Sequence, residues 1–150
     1  MTNLNWSYKP FAALTSTELY TILQLRSEVF VVEQNCAYQD IDNKDQHAFH
    51  LSAWDGNTLA AYCRIIPPGI SFEAASIGRV LTAKNYRKNG TGRLLMQKAI
   101  PAILQQFNCT QITIGAQLYL IKFYTSLGFV QISATYLEDG IPHIDMTYTV

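Results

Sequence analysis

Apolar residues recur along this chain with two periods. Leu19, Ile22, Leu23, Val29 and Phe30 return at the spacing of one helical face, and Thr15-Ser16-Thr17-Glu18 ahead of them has the form of a capping box. A helix of about five turns is expected from there, carrying Arg26 and Glu33 on its inward face, since seven residues return nearly to the same azimuth and advance about 10 Å. Charged groups on a buried face need partners or a chemical task. An acidic loop follows over residues 39 to 45, then a strand over about 48 to 54, a turn at Asp55-Gly56-Asn57 and a returning strand over 58 to 66, stopped by Pro67-Pro68-Gly69. Residues 76 to 82 form another strand. From Gly90, the positions of Leu94, Leu95, Ala99, Ala102 and Ile103 predict a helix to about residue 107, which Pro101 should kink or shorten. A strand over 111 to 116, a helix over 118 to 127 ended by Gly128, and a hairpin of 129 to 137 with 141 to 150 around Glu138-Asp139-Gly140 complete the order. The elements run strand, helix, two or three strands, helix, strand, helix, two strands. That order describes a single α/β domain over residues 1 to 150, built on one mixed, mostly antiparallel sheet flanked by helices.

Composition narrows the picture. With 150 residues, 49% hydrophobic and 15% charged, the chain has an ordinary globular make-up. A chain of this length buries roughly 70% of its unfolded surface as one domain. No charged leader with an apolar core is visible, and no apolar run approaches the roughly 20 residues that span a bilayer, so a cytoplasmic protein without a membrane partner is expected. Cys36, Cys63 and Cys109 lack the spacing of a disulfide framework or a zinc knuckle. The formal net charge of zero conceals a polarised chain: no acid occurs between Glu73 and Glu138, a stretch that holds seven Lys or Arg. A pI near 6.8 gives no general pull toward nucleic acid, so that basic stretch calls for a more local explanation.

Its densest part, Arg87-Lys88-Asn89-Gly90-Thr91-Gly92-Arg93, lies between an expected strand and an expected helix, with Lys84 and Lys98 nearby. Glycines there allow a close backbone approach, and a helix start presents unpaired N–H groups and a positive dipole end: a seat for an anion. A P-loop would need Lys and Ser or Thr after the second glycine, where Arg93-Leu94 stand, and a dinucleotide fingerprint would need glycine in place of Leu95. The remaining pattern, R-x-x-G-x-G, resembles the coenzyme A pyrophosphate loop of the GNAT N-acetyltransferase superfamily. Phe123-Tyr124-Thr125-Ser126-Leu127-Gly128-Phe129 is similar to the Y-x-x-x-G-F segment near the end of GNAT domains. Two further stretches, Leu25 to Asp42 and Glu138-Asp139-Gly140-Ile141-Pro142-His143-Ile144, resemble the ElaA-like subgroup.

The resemblance implies acetyl-CoA as co-substrate and no metal. It implies that backbone N–H groups of Asn89, Gly90, Thr91, Gly92 and Arg93 hold the pyrophosphate, and that the backbone of Val80, Leu81 and Thr82 pairs with the pantetheine amides. Arg87, Lys88 or Arg93 would take the 3′-phosphate. Tyr124 is implied as the acid for the departing thiolate, a role suited to a phenol whose pKa is near 10.

The base is open. Glu33 is a candidate because it shares the inward face with Arg26; alternatively both are structural ion-pair members, with Asp40 or Asp42 as partners. His143 and Asp145 share a strand side and could relay a proton, unless that side is simply exposed; water-mediated deprotonation is another route. Arg26, Asp40, Asp42 and His143 are the candidate acceptor-binding residues. The carboxylates of Asp40, Asp42, Asp45, Glu33, Glu138 and Asp139 favour a cationic amine, on a small molecule or on a protein. The rival readings are a synthase of the acyl-homoserine-lactone type, a non-catalytic acyl-CoA sensor and a nucleic-acid binder; the protein is expected as a monomer or homodimer without nucleic acid.

Overall fold

The computed structural model describes residues 3–150. The chain runs β1 (Asn5–Pro10), α1 (Ser16–Arg26), a π-helical segment (Ser27–Glu33), β2 (Phe49–Asp55), β3 (Thr58–Ile66), β4 (Ser76–Thr82), α2 (Thr91–Gln106), β5 (Gln111–Gln117), α3 (Ile121–Ser126), β6 (Val130–Gln131), β7 (Tyr136–Glu138) and β8 (Ile141–Thr149). Strands β1 to β4 pair antiparallel in sequence order, and β8 pairs antiparallel with β5, β6 and β7. The two halves are joined by a parallel bridge between Ala75 and Ile112, where the Thr113 N–H donates to the Ala75 carbonyl at 2.9 Å. Beyond that bridge no ladder connects β4 and β5 among the described residues, so one mixed sheet parts into a V.

Strand β3 reads as a nearly continuous apolar run because it is covered on both faces. Ala61, Cys63 and Ile65 pack with Leu95, Met96, Ala99 and Ile103 of α2; Leu59 and Tyr62 pack with Ile22 of α1 and with Val29. Each fully buried aliphatic side chain contributes about 1.5–3 kcal/mol, and these contacts hold both helices against the β1–β4 half. The capping box forms as the pattern requires: Glu18 N–H donates to Thr15 Oγ1 at 3.0 Å and Thr15 N–H to Glu18 Oε1 at 2.8 Å. The final hairpin turns at Asp139 and Gly140, both at positive φ (51° and 78°), the conformation that favours an Asp-Gly pair.

Three elements depart from expectation. The first helix does not keep its α winding, since after Arg26 it loosens into a π segment that closes with the Cys36 N–H on the Val31 carbonyl at 3.0 Å. An i→i+5 winding has more residues per turn, so seven residues no longer return to one azimuth. Arg26 is fully buried while Glu33 is exposed. Pro101 neither breaks nor shortens α2, which continues to Gln106. Pro101 and Gln97, whose carbonyl loses its donor, both lie on the exposed face, where water substitutes. The expected strand over 129 to 137 forms only the short pieces β6 and β7, because the Asp145 N–H donates to Ser133 Oγ (2.8 Å) where a ladder partner would otherwise stand. No helix among the described residues is long and apolar enough to cross a membrane.

Candidate active site

Where β4 and β5 diverge they enclose a cavity of about 830 Å³. The divergence has a local cause. Arg79 and Val80 together oppose Cys63, a β-bulge in which Arg79 takes φ 50°. A bulge bends its strand, and here it directs the Arg79 side chain to Asp40, with Nε 2.7 Å from Oδ1 and the guanidinium 5.4 Å from the Tyr38 ring centre. Val80, Leu81 and Thr82 on one side, and Ile114, Ala116 and Gln117 on the other, line the cleft. Two strand edges that face each other without pairing offer backbone donors and acceptors to an inserted chain of amides.

At the end of β4 the chain enters the basic loop. Gly90 caps α2 at φ 85°, and a Cβ on Gly92 would lie 3.3 Å from Thr82 Oγ1, so the helix start sits close against the strand. Asn89 Oδ1 accepts from Thr91 Oγ1 at 2.6 Å and from Thr91 N–H at 3.3 Å. The first-turn N–H groups of Gly92 and Arg93 have no intrahelical partner. Arg87 donates from Nε to the Thr82 carbonyl (2.9 Å) and from Nη2 to Glu33 Oε2 (3.0 Å) across the cleft mouth. Arg93 reaches α3, with Nη2 2.5 Å from Ser126 Oγ and the guanidinium 5.7 Å from the Phe123 ring centre. Lys88 is exposed. Lys98 stands apart from this cluster, its Nζ 5.0 Å from the ring centre of Trp6 on β1.

Tyr124, on α3, is 6% exposed and borders the cavity, braced edge-to-face by Phe123 and Phe129 at 5.2 and 5.9 Å. Burial pushes its phenol above the ordinary value, so the proton is present at neutral pH.

Beneath the cleft lies a network that sequence reasoning found only in part. Arg26 donates from Nε to Asp40 Oδ2 (3.0 Å) and from Nη1 to Asp45 Oδ1 (2.7 Å). Arg64 donates to Asp42 Oδ2 (2.6 Å) and Asp45 Oδ1 (3.0 Å), and Arg79 to Asp40 and Asp42. Arg26 and Asp40 face one another beneath the cavity and not its lining; Asp42 and His143 do line it. Burial acts to raise the Asp42 and Asp45 carboxyls, but the hydrogen bonds and charges of the arginines outweigh it and hold both below the usual carboxylate range. Arg64 and Arg79 are the residues the sequence reading missed; the signal of Arg64 is a charge inside the apolar run Ala60 to Ile66. His143 was expected on an open strand face if it had no chemical role, yet it is 8% exposed, covered by Tyr136 of β7 at 6.0 Å between ring centres. Asp145 does not bond to His143; it accepts from the Tyr136 phenol at 2.6 Å. Among the described residues no group of three or more His, Cys, Asp or Glu is arranged to hold a metal ion.

A parted sheet whose open edges lead to a Gly-rich helix start defines an acyl-CoA-dependent transferase fold. Residues 14–150 match the family model described as acetyltransferase (GNAT) domain. The chain is 42% identical to an acyl-CoA N-acyltransferase of Pseudomonas aeruginosa, covering 98% of this chain and 100% of that one, with a TM-score of 0.93. It is 38% identical to Escherichia coli ElaA, over 97% and 99% of the two chains, with a TM-score of 0.91. A protein of the UPF0039 group from Schizosaccharomyces pombe is 43% identical over 97% of both chains. The chain therefore belongs to the GNAT acetyltransferase family, among its ElaA-like members.

Proposed function

We propose that this protein moves an acetyl group from acetyl-CoA directly to a primary amine, on a small molecule or on a protein, with Tyr124 as the acid that protonates the departing thiolate. The observation that carries this reading is the junction of three features in one cleft: unpaired edges on β4 and β5, the open first turn of α2 at their end, and the buried phenol of Tyr124 in the wall. The pantetheine amides would lie between the edges as an added strand, and the diphosphate would sit on the N–H groups of Gly92 and Arg93, where the helix dipole favours negative charge. Arg87, Lys88 and Arg93 would supply charge-assisted contacts to the remaining phosphate oxygens. Glu33 has its carboxylate oxygens on Arg87 Nη2, and we assign it to orienting that arginine. Asp42 is likewise engaged by Arg64 and Arg79, so it contributes charge to the acceptor side rather than a free base.

Thiol release from acetyl-CoA, measured with a set of primary amines, tests the reading. Tyr124→Phe should lower turnover by about 10²–10⁴-fold, the usual share of a positioned proton donor, while coenzyme A affinity stays near that of the wild type. A protein that binds acetyl-CoA and turns over with no amine would be a sensor of the cofactor instead.

A further inference from the structure

We infer that His143 is the base that takes the proton from the acceptor amine. The inference rests on the acyl-transfer reading above and names a residue for its proton-removing step. His143 borders the cleft, and its Nδ1 lies 2.6 Å from the carbonyl oxygen of Ile141. A carbonyl oxygen only accepts, so Nδ1 carries the ring hydrogen and the lone pair of the neutral imidazole sits on Nε2. That nitrogen makes no hydrogen bond among the described residues; Glu138 Oε2 stands 3.6 Å away, where its charge offsets the one the ring acquires.

The surroundings hold the ring in this attitude. Tyr136 stacks on it at an interplanar angle of 22°, and the Tyr136 phenol is anchored on Asp145 Oδ1 at 2.6 Å. Asp145 is itself fixed by its N–H donating to Ser133 Oγ at 2.8 Å. Gly115 of β5 faces Asp145, and a Cβ there would come within 3.2 Å of the Tyr136 hydroxyl, so any side chain at 115 would push the stack aside. Three strands thus converge to aim one imidazole. His143 pairs in register with Gln117, the last residue of β5, and after one 3-10 turn, Leu118–Leu120, the chain enters α3, which carries Tyr124. Base and acid therefore both belong to the wide end of the V.

The other carboxylates of the cleft are occupied or outside: Glu33 by Arg87, Asp42 by two arginines, Asp145 by Tyr136, while Glu138 and Asp139 are exposed. In the step assigned to His143, an acceptor ammonium gives one proton to Nε2. The freed nitrogen pair forms the C–N bond to the acyl carbon, the C–S bond breaks with its electrons going to sulfur, and the thiolate takes the Tyr124 proton. The second proton lost from nitrogen restores the phenol through solvent, and the imidazolium releases its proton to water. The sum is ammonium plus thioester giving amide, thiol and one proton released to water.

The test compares wild type and His143→Gln with acetyl-CoA and a set of primary amines: an alkylamine, a diamine, an amino-acid amide and a lysine peptide. The other ionisable groups on this side of the cleft are Tyr136, Glu138, Asp139, Asp145 and Cys36, and the ionisation of each amine is measured separately. For the wild type, kcat/KM should fall with decreasing pH beyond the fall due to the amine. His143→Gln should lose that limb and at least about 10²-fold in rate, with coenzyme A binding by calorimetry unchanged. Tyr136→Phe, which frees the stacked ring, should lower kcat with KM held and keep the limb. Nitrogen NMR of the wild-type protein reads the tautomer independently of any variant: an unprotonated Nε2 in the neutral ring is expected, and a neutral ring protonated at Nε2 would overturn the assignment. Persistence of the limb and of the rate in His143→Gln would also overturn it, leaving the transferase intact. Absence of turnover with every amine in the wild type would instead remove the acyl-transfer reading, and this base with it.

Discussion

The loop that opens α2 and the segment that precedes β2 are both crowded with charge, and the molecule uses them in opposite ways. Arg26, Arg64 and Arg79 each find two aspartates among Asp40, Asp42 and Asp45, and Arg26 is entirely out of solvent. Around the α2 loop Arg87 borders the cleft, where Glu33 is the carboxylate that reaches it, Arg93 turns to α3, and Lys88 is exposed. A charge surrounded by protein counter-charges is scaffold, because moving it would strand its partners in a poorly solvating interior. A charge cluster of one sign beside open helix N–H groups is suited to an outside anion. The buried network also does geometric work for the open one: Arg79 in its bulge ties the acidic loop to β4, and that bulge parts the sheet.

Substitutions can break this contrast, beginning at the scaffold. Arg26→Ala should destabilise the fold by about 3–5 kcal/mol, the range for removing one partner of a buried ion pair, as read by denaturant unfolding. An effect below about 1 kcal/mol would make the network ornamental. The pH dependence has the matching sign. Asp42 and Asp45 are held below their ordinary range in the folded state, so their contribution is full above the unfolded carboxylate value of about 3.9 and is lost as pH falls through the lower folded values. Unfolding free energy followed from pH 7 downward should therefore begin to drop near about pH 4, and Asp42→Asn should flatten part of that drop.

At the open cluster the readouts exchange places. Arg87→Ala should weaken coenzyme A binding by about 1.5–3 kcal/mol, the worth of a charge-assisted hydrogen bond, or roughly 10- to 100-fold in Kd. Its melting temperature should scarcely move, since Arg87 and Glu33 pair at the surface, with side chains 37% and 33% exposed. Lys98→Ala gives the smallest expected effect: a change of less than about twofold in coenzyme A affinity and a stability loss of about 0.5–1 kcal/mol from its contact with Trp6. A large affinity loss there would mean that basic charge along the whole segment, not the helix start, attracts the ligand.

Sequence legibility followed the same division. The α2 loop is contiguous, so Arg87 to Gly92 can be recognised from spacing and flanking elements alone; β3 likewise announces itself as an apolar run between turn residues. The network joins residues 14 to 39 positions apart, which no local pattern reveals, although Arg64 in an apolar strand was a visible sign that partners existed. The π winding after Arg26 escaped because periodicity rules assume the α repeat, and that assumption wrongly placed Glu33 beside Arg26. The burial of His143 depends on β7 folding over β8, a consequence of the Asp139-Gly140 turn combined with the Tyr136–Asp145 bond. The turn was readable and the bond was not.

The account stands most directly on the α2 start as the holder of a diphosphate, and calorimetry with coenzyme A beside pantetheine, which lacks the phosphates, tests it. The expected result is saturable one-to-one binding of coenzyme A with Kd below about 1 mM, weakening as salt rises, and no measurable binding of pantetheine. Equal affinity for the two compounds, or no heat with millimolar coenzyme A, would contradict it.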